Sequence, residues 1–222
     1  MGVVPVLQPL LETPVAPYMA GMLLGDTEAL AARPATDLLQ PEVMEAAMQK
    51  FRPEDWKQDP RAVFSHWTQF YFLLFLPPAL AANLLYQQEL PLALEDVAIT
   101  LGNDGLPLAF VLKDEGSKLD RNVEADERFQ LLRERHLAPL ITTWSRQARL
   151  SERVLWSNAG RYLDWILREF QEHVPAAEVW RPLQIWLEAP YDRLGWHRRI
   201  CCLRDRLAGV TICPDCPKVA HV

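Results

Sequence analysis

FYFLLFLPPALAANLL, residues 70–85, is the longest apolar stretch of this 222-residue chain, and it locates the hydrophobic core. A membrane-spanning helix needs about 20 predominantly apolar residues. This run is shorter, and Pro77 and Pro78 divide it, because proline ends or kinks a helix. We therefore predict two buried core helices, at residues 61–76 and 79–90, that meet at the proline pair. Contact with a membrane surface is the alternative explanation for so apolar a run.

Helical periodicity continues on both sides of this core run. Apolar residues recur at helical spacing over residues 37–51, 123–136, 140–150, 152–173 and 176–187. We expect Ser151 to cap the longest of these helices. We expect Pro139 to interrupt the helical structure between the helices at 123–136 and 140–150. The stretch 52–60 is predicted to be a polar connector.

A β-hairpin is indicated between the two halves of the chain. The β-rich runs DVAITL (96–101) and LPLAFVL (106–112) flank Gly102, Asn103, Asp104 and Gly105, and Asn and Gly accept positive φ at low cost. The predicted fold class is α+β and mainly α-helical. It comprises a helical body, a small antiparallel β-hairpin or sheet, and a C-terminal cysteine-rich segment.

Composition and charge limit the function classes. Half of the residues are hydrophobic and 23% are charged, which excludes a disordered chain. The net charge of −6 argues against nucleic acid as a partner, since phosphate binding needs a basic face. The apolar N-terminus lacks the basic start of a secretory signal, so a cytoplasmic location is expected.

All four cysteines lie near the end of the chain, at Cys201, Cys202, Cys213 and Cys216. Three kinds of site fit them. Structural zinc takes four thiolates, although usually from two C-x₂₋₄-C knuckles, and the adjacent pair is not one. Thiol redox chemistry uses C-x-x-C, but at the start of a helix that follows a strand. A [2Fe–2S] cluster takes two thiolates per iron and tolerates an adjacent pair better.

Residues 198–217, RRICCLRDRLAGVTICPDCP, resemble the C-terminal signature of the siderophore-iron reductase family, the FhuF-like ferric reductases. That signature is an adjacent Cys pair, ten intervening residues and C-x-x-C. Residues 154–163 (VLWSNAGRYL) resemble the family's Trp-x-Asn segment, and residues 65–85 resemble its central helical region.

The resemblance implies a cofactor, a reaction and partners. A [2Fe–2S] cluster would be held by Cys201, Cys202, Cys213 and Cys216, and it would reduce Fe(III) held by a siderophore, of hydroxamate type, to Fe(II) in the cytoplasm. Electrons would come from a separate donor such as a ferredoxin or a reductase. No transmembrane segment is expected, and contact with the inner face of the cytoplasmic membrane or with a siderophore importer is a further expectation.

Two domains follow from this resemblance. Residues 1–190 would form a mainly helical scaffold and substrate domain with the hairpin near 96–112, and residues 191–222 would form the [2Fe–2S]-binding segment. The alternative function is a non-enzymatic binding module stabilised by zinc on the four cysteines.

Basic and aromatic residues around the cysteines are candidates for tuning the cluster or docking a partner. Residues 191–222 hold six Lys and Arg against three Asp, whereas a thiolate-bound [2Fe–2S] core carries a formal charge of about −2, or about −3 when reduced. A solvated basic face and ordinary packing are the alternatives. The candidates are Trp196, His197, Arg198, Arg199, Arg204 and Arg206.

Overall fold

The computed structural model describes residues 2–28, 30–120, 122–188, 200–213 and 216–218. These ranges contain eight α-helices: α1 Ala16–Met19, α2 Pro41–Phe51, α3 Pro53–Gln58, α4 Pro60–Tyr86, α5 Ala125–Arg128, α6 Ala138–Gln147, α7 Glu152–His173 and α8 Ala177–Glu188. Short 3₁₀ helices at Pro5–Glu12, Ala35–Leu39 and Arg204–Arg206, and a π-helical segment at Leu131–Leu137, complete the helical structure. The mainly α-helical class is confirmed.

Helix α4 is the central element, and it runs unbroken through Pro77 and Pro78. The prediction of two helices separated by these prolines is therefore wrong. Each proline lacks the N–H that would bond to the carbonyl four residues earlier, on Leu73 or Leu74. Both of those residues are partly exposed. Residues 75–84 are all buried, and this burial outweighs a helix penalty of about 3 kcal/mol per proline.

The same helix is long and apolar enough to cross a membrane when judged by length and composition alone. However, 78% of its most apolar 18-residue stretch is buried inside the protein. It packs against α7, α2 and the strand Pro107–Leu112, among other elements. This environment is typical of the core helix of a soluble domain.

A small mixed sheet covers one side of α4. Its strands are β1 Gly2–Val3, β2 Met22–Leu24, β3 Arg33–Pro34, β5 Val97–Leu101 and β6 Pro107–Leu112, in the order β1-β2-β6-β5-β3. The antiparallel β5–β6 hairpin confirms the prediction. The pairing of β2 with β6 is parallel, whereas the predicted sheet is antiparallel. Strands β4 Gln88–Glu89 and β7 Ser117–Lys118 form a separate antiparallel pair.

The hairpin turn is fixed to α4 at Gly105. The indole Nε1 of Trp67 donates to the carbonyl of Gly105 at 2.8 Å. Gly105 has a φ of 78°, and a Cβ there would lie 2.2 Å from the carbonyl oxygen of Ala47. Only glycine tolerates both this positive φ and this close approach, which explains why the turn ends with Gly105.

Other predicted boundaries have mixed outcomes. Ser151 caps α7 as predicted, because its hydroxyl accepts from the N–H of Arg153 at 3.3 Å. Pro139 does not interrupt the helical structure, because it lies in the first turn of α6, where helices tolerate proline. The stretch 52–60 is not a plain connector, because it contains α3.

Candidate functional site

The four cysteines all lie in the described part of the chain, and no disulfide joins them. Cys202, Cys213 and Cys216 form one buried cluster, separate from the main core. The Sγ atoms of Cys202 and Cys213 are 3.7 Å apart, far beyond the S–S bond of about 2 Å. Two sulfurs on one tetrahedral metal ion, with bonds of about 2.3 Å, lie about 3.8 Å apart. The spacing of these two sulfurs therefore matches that of two ligands on one ion.

Cys201 is the most accessible of the four, and its sulfur faces a charged pair. Its Sγ donates to Oδ1 of Asp205 at 3.2 Å and accepts from the N–H of Leu203 at 3.3 Å. Nζ of Lys218 lies 2.7 Å from the other oxygen of Asp205. Partial burial, together with the Asp205 carboxylate, raises the pKa of the Cys201 thiol. The hydrogen bond from Lys218 lowers the pKa of Asp205.

The donor set fits a thiolate-bound centre in chemistry and burial, and partly in geometry. Among residues 2–218, apart from the ranges that the structure does not describe, no group of three or more His, Cys, Asp or Glu has the arrangement of a metal site. Cys202, Cys213 and Cys216 do not have that arrangement although they are buried together, and the sulfur of Cys201 contacts Asp205. Buried thiols suit zinc and iron–sulfur clusters alike. To hold either group, the four sulfurs would have to rearrange from their positions here, and Cys201 would have to turn from Asp205.

The loop between the two cysteine pairs docks on the helical body. Leu207 is 5% exposed and belongs to the main core, and Leu203 and Val210 pack against it. Nη1 of Arg206 lies 3.3 Å from Oδ2 of Asp59, the residue that caps α4. Both apolar and ionic contacts therefore attach this loop to the body.

His66 of α4 lies under the docked loop. It is 6% exposed, and its Nδ1 has no hydrogen-bond partner among the residues that the structure describes. Burial, with the nearby positive charges of Arg204 and Arg52, lowers the pKa of His66 to about 4. The imidazole is therefore neutral at pH 7, and Arg204 approaches the body at this point.

The predicted tuning and docking residues divide into two groups. Trp196, His197, Arg198 and Arg199 lie outside the described residues. Arg204 and Arg206 are described, and both face the body. The positive charge of Arg204 lowers the pKa of His66, and the Nε atom of Arg204 is buried. Arg206 pairs with Asp59. Their described contacts attach the loop to the body.

Asn158, in the Trp-x-Asn segment, joins two helices. Its Nδ2 lies 3.0 Å from the carbonyl oxygen of Ser65 and 3.1 Å from Oγ1 of Thr68. Since Ser65 and Thr68 lie on α4, Asn158 links α7 to the central helix. These contacts give the residue a structural role in the body.

Four residues of the body that sequence reasoning missed lie against the described part of residues 191–222, which we call the cysteine segment: Arg52, Asp55, Asp59 and His66. The available signal was the dense charge of residues 52–60, RPEDWKQDP. Charge alone is typical of a solvated connector, and the partners lie about 150 positions away, as in the Arg52 contact with Ala208 (|i−j| = 156). The chain sequence carries no local indication of that pairing.

Two comparisons relate this chain to known proteins. Residues 65–209 match the family described as "Ferric iron reductase FhuF-like transporter", a match that includes Cys201 and Cys202 and ends before Cys213. A protein of Escherichia coli (strain K12) named "Ferric siderophore reductase" is 24% identical over 174 residues, which cover 72% of this chain and 66% of that protein. The aligned part is thus just under two thirds of that relative's length. Because the family match covers more than half of the chain, this protein belongs to the FhuF-like ferric iron reductase family.

Proposed function

We propose that this protein is a ferric-siderophore reductase that uses a [2Fe–2S] cluster bound by Cys201, Cys202, Cys213 and Cys216. Family membership supports the reductase activity. The observation that supports a metal centre on the thiols is the buried cluster of three cysteines, with two sulfurs 3.7 Å apart. The choice of a [2Fe–2S] cluster over zinc rests on the adjacent Cys201–Cys202 pair, which two irons accommodate better than one zinc ion does. The substrate is iron held as Fe(III) by a siderophore, of hydroxamate type.

When bound, the cluster supplies one electron at a time. One electron is enough, because hard oxygen ligands hold Fe(III) far more tightly than Fe(II). The siderophore itself need not be broken, so no nucleophile or general acid is required of the chain. The residues of the protein would bind the cofactor and exclude water from three of the four sulfurs, and they leave the fourth, on Cys201, accessible to a partner.

Cys201 marks the face where an outside partner comes nearest to the sulfurs. The other three cysteines are at most 3% exposed, whereas Cys201 is partly exposed. Asp205 and Lys218 flank it. A ferric siderophore, or a separate electron donor such as a ferredoxin or a reductase, would approach from this side. We propose that the reaction takes place in the cytoplasm, with peripheral contact at the inner face of the membrane or at a siderophore importer.

Cofactor analysis of anaerobically purified protein tests the proposal. We expect two irons and two acid-labile sulfides per chain, with visible absorption that dithionite bleaches. Each of the four Cys→Ser variants should lose most of this iron and sulfide. Ile212→Ser is the matched control, because Ile212 adjoins Cys213 and is 46% exposed. It should keep the full cluster.

Two outcomes would contradict the proposal. A colourless protein with one zinc ion and no labile sulfide would establish the alternative, a zinc-stabilised binding module. Full cluster content in Cys202→Ser would show that the ligand set is wrong, since Cys202 is among the buried three.

A further inference from the structure

One residue between the two cysteine pairs has both of its backbone groups held by the helical body. The carbonyl of Ala208 accepts from Nη2 of Arg52 at 2.6 Å, and its N–H points to Oδ1 of Asp55 at 3.5 Å. Nε of Arg52 donates to Oδ2 of Asp55 at 2.6 Å. Arg52, Asp55 and Ala208 thus form a closed ring of hydrogen bonds, which we call the Arg52–Asp55 clamp.

The clamp is partly shielded from solvent and uses the shape of arginine. The side chains of Arg52 and Asp55 are 23% and 17% exposed, so their attraction is screened less than that of a surface pair. The guanidinium holds Asp55 through one nitrogen and Ala208 through another. The single ammonium of a lysine has no such fixed fork.

Helix α3 contributes little to the hydrophobic core. None of its residues, Pro53–Gln58, is fully buried, and Trp56 is the residue through which it packs on the core. A helix with so few buried contacts adds little to the stability of the body. Its contacts with the cysteine segment, supplemented by the Asp59–Arg206 pair, give it a role as a platform.

We propose that Arg52 and Asp55 are positioning residues that fix the separation and orientation of the two cysteine pairs. Ala208 lies between Cys202 and Cys213 in the chain, so a fixed Ala208 limits how the pairs move relative to each other. Leu207 keeps the loop on the core by apolar contact, while the clamp sets its direction. This inference rests on the proposed function, in which all four sulfurs hold one cluster.

Release of iron from the purified holoprotein to an excess of bathophenanthroline disulfonate tests the clamp. Arg52→Lys, Arg52→Gln and Asp55→Asn should each release iron about tenfold faster than the wild type, because a charged hydrogen bond is lost. They should also change the electron paramagnetic resonance signal of the dithionite-reduced protein, while far-UV circular dichroism stays unchanged. Lys50→Gln removes the same charge at an exposed position of α2 and should match the wild type.

Wild-type release and an unaltered resonance signal in Arg52→Lys would overturn the inference. A protein that contains no iron and no labile sulfide would instead count against the proposed function. In that case the alkylation rate of the buried thiols, Cys202, Cys213 and Cys216, decides about the clamp. Iodoacetamide should modify them about tenfold faster in Arg52→Gln than in Lys50→Gln, and equal rates would refute it.

Discussion

The helical body and the cysteine segment are stabilised by different interactions. In the body, fully buried rings pack edge to face, with centroid distances of 5.8 Å for Trp67–Trp144 and 5.2 Å for Tyr71–Trp144. In the segment, among its described residues, Leu207 alone is buried in that core. Leu203 and Val210 pack against the core from partly buried positions. Hydrogen bonds to Arg52 and Asp55, an ion pair to Asp59 and the cluster of buried thiols add to these contacts.

This contrast separates folding from cofactor binding. The body has an apolar core that needs no metal ion, because burial supplies its stability. The segment has few apolar contacts, so its arrangement depends on polar attachment and on whatever binds the sulfurs. Substitutions in the body should change stability with or without metal, and substitutions in the segment should change the metal centre first.

The largest effect is expected in the body, for Trp144→Ala. Trp144 is fully buried, and its Nε1 donates to the carbonyl of Leu38 at 2.9 Å. Its truncation should lower the free energy of unfolding by about 3–5 kcal/mol, measured by urea denaturation with and without a chelator. Leu108→Ala, at a position that is 59% exposed, is the control. A loss of unfolding free energy that appears only in the metal-bound protein would contradict the claim that the body is stable without metal.

An effect of about 3 kcal/mol per residue is expected from pH at two buried histidines of the body. Burial lowers the pKa of His66 from 6.5 to about 4. It lowers the pKa of His136 to about 3, where Tyr71 and the carbonyl of Leu92 hold the neutral ring. The unfolded chain binds protons at higher pH, so stability is complete above about pH 6.5 and falls as the pH decreases toward 4.

Replacement of His66 tests this sign. His66→Gln should flatten the loss of unfolding free energy between pH 6.5 and 4 by about 3 kcal/mol, measured by urea denaturation at stepped pH. Above pH 6.5 both side chains are neutral, which provides an internal reference for each protein. An identical pH slope in the variant and the wild type would show that His66 titrates normally in the fold.

The smallest effect is expected in the segment, at the pair beside Cys201. Reduction adds negative charge to the proposed cluster, so Asp205→Asn should raise its reduction potential and Lys218→Met should lower it. Solvent screening keeps both changes modest, and an optically monitored redox titration measures them. Glu54→Gln, in the exposed Glu54–Lys57 pair of α3, is the control. Shifts of the same sign in both variants would contradict the electrostatic reason.

The body could be predicted from local patterns in large part. The cap at Ser151 and the β5–β6 hairpin follow from side-chain chemistry within a few residues. The continuity of α4 through Pro77 and Pro78 could not be predicted in this way, because burial by distant elements overrides a local helix penalty. The parallel β2–β6 pair also depends on distant chain segments.

The metal-binding role of the four cysteines is predicted from their spacing together with the family resemblance, whereas the contacts around them are not predicted. Arg204 and Arg206 seemed available for docking a partner, but in the structure Arg206 is paired with Asp59. The Arg52–Asp55 clamp joins residues that only the tertiary fold brings together. The spacing of the cysteines is visible in the local sequence, whereas the contacts that attach the cysteine segment to the body are not.

Single-turnover reduction tests the central claim most directly. Dithionite-reduced protein, freed of excess reductant under anaerobic conditions, is mixed with a ferric hydroxamate siderophore and an Fe(II)-specific chelator. We predict one Fe(II) per oxidised cluster, with the visible absorption of the oxidised cluster returning at the same rate, and neither change in Cys202→Ser. A protein whose absorption stays bleached while no Fe(II) appears would contradict the account.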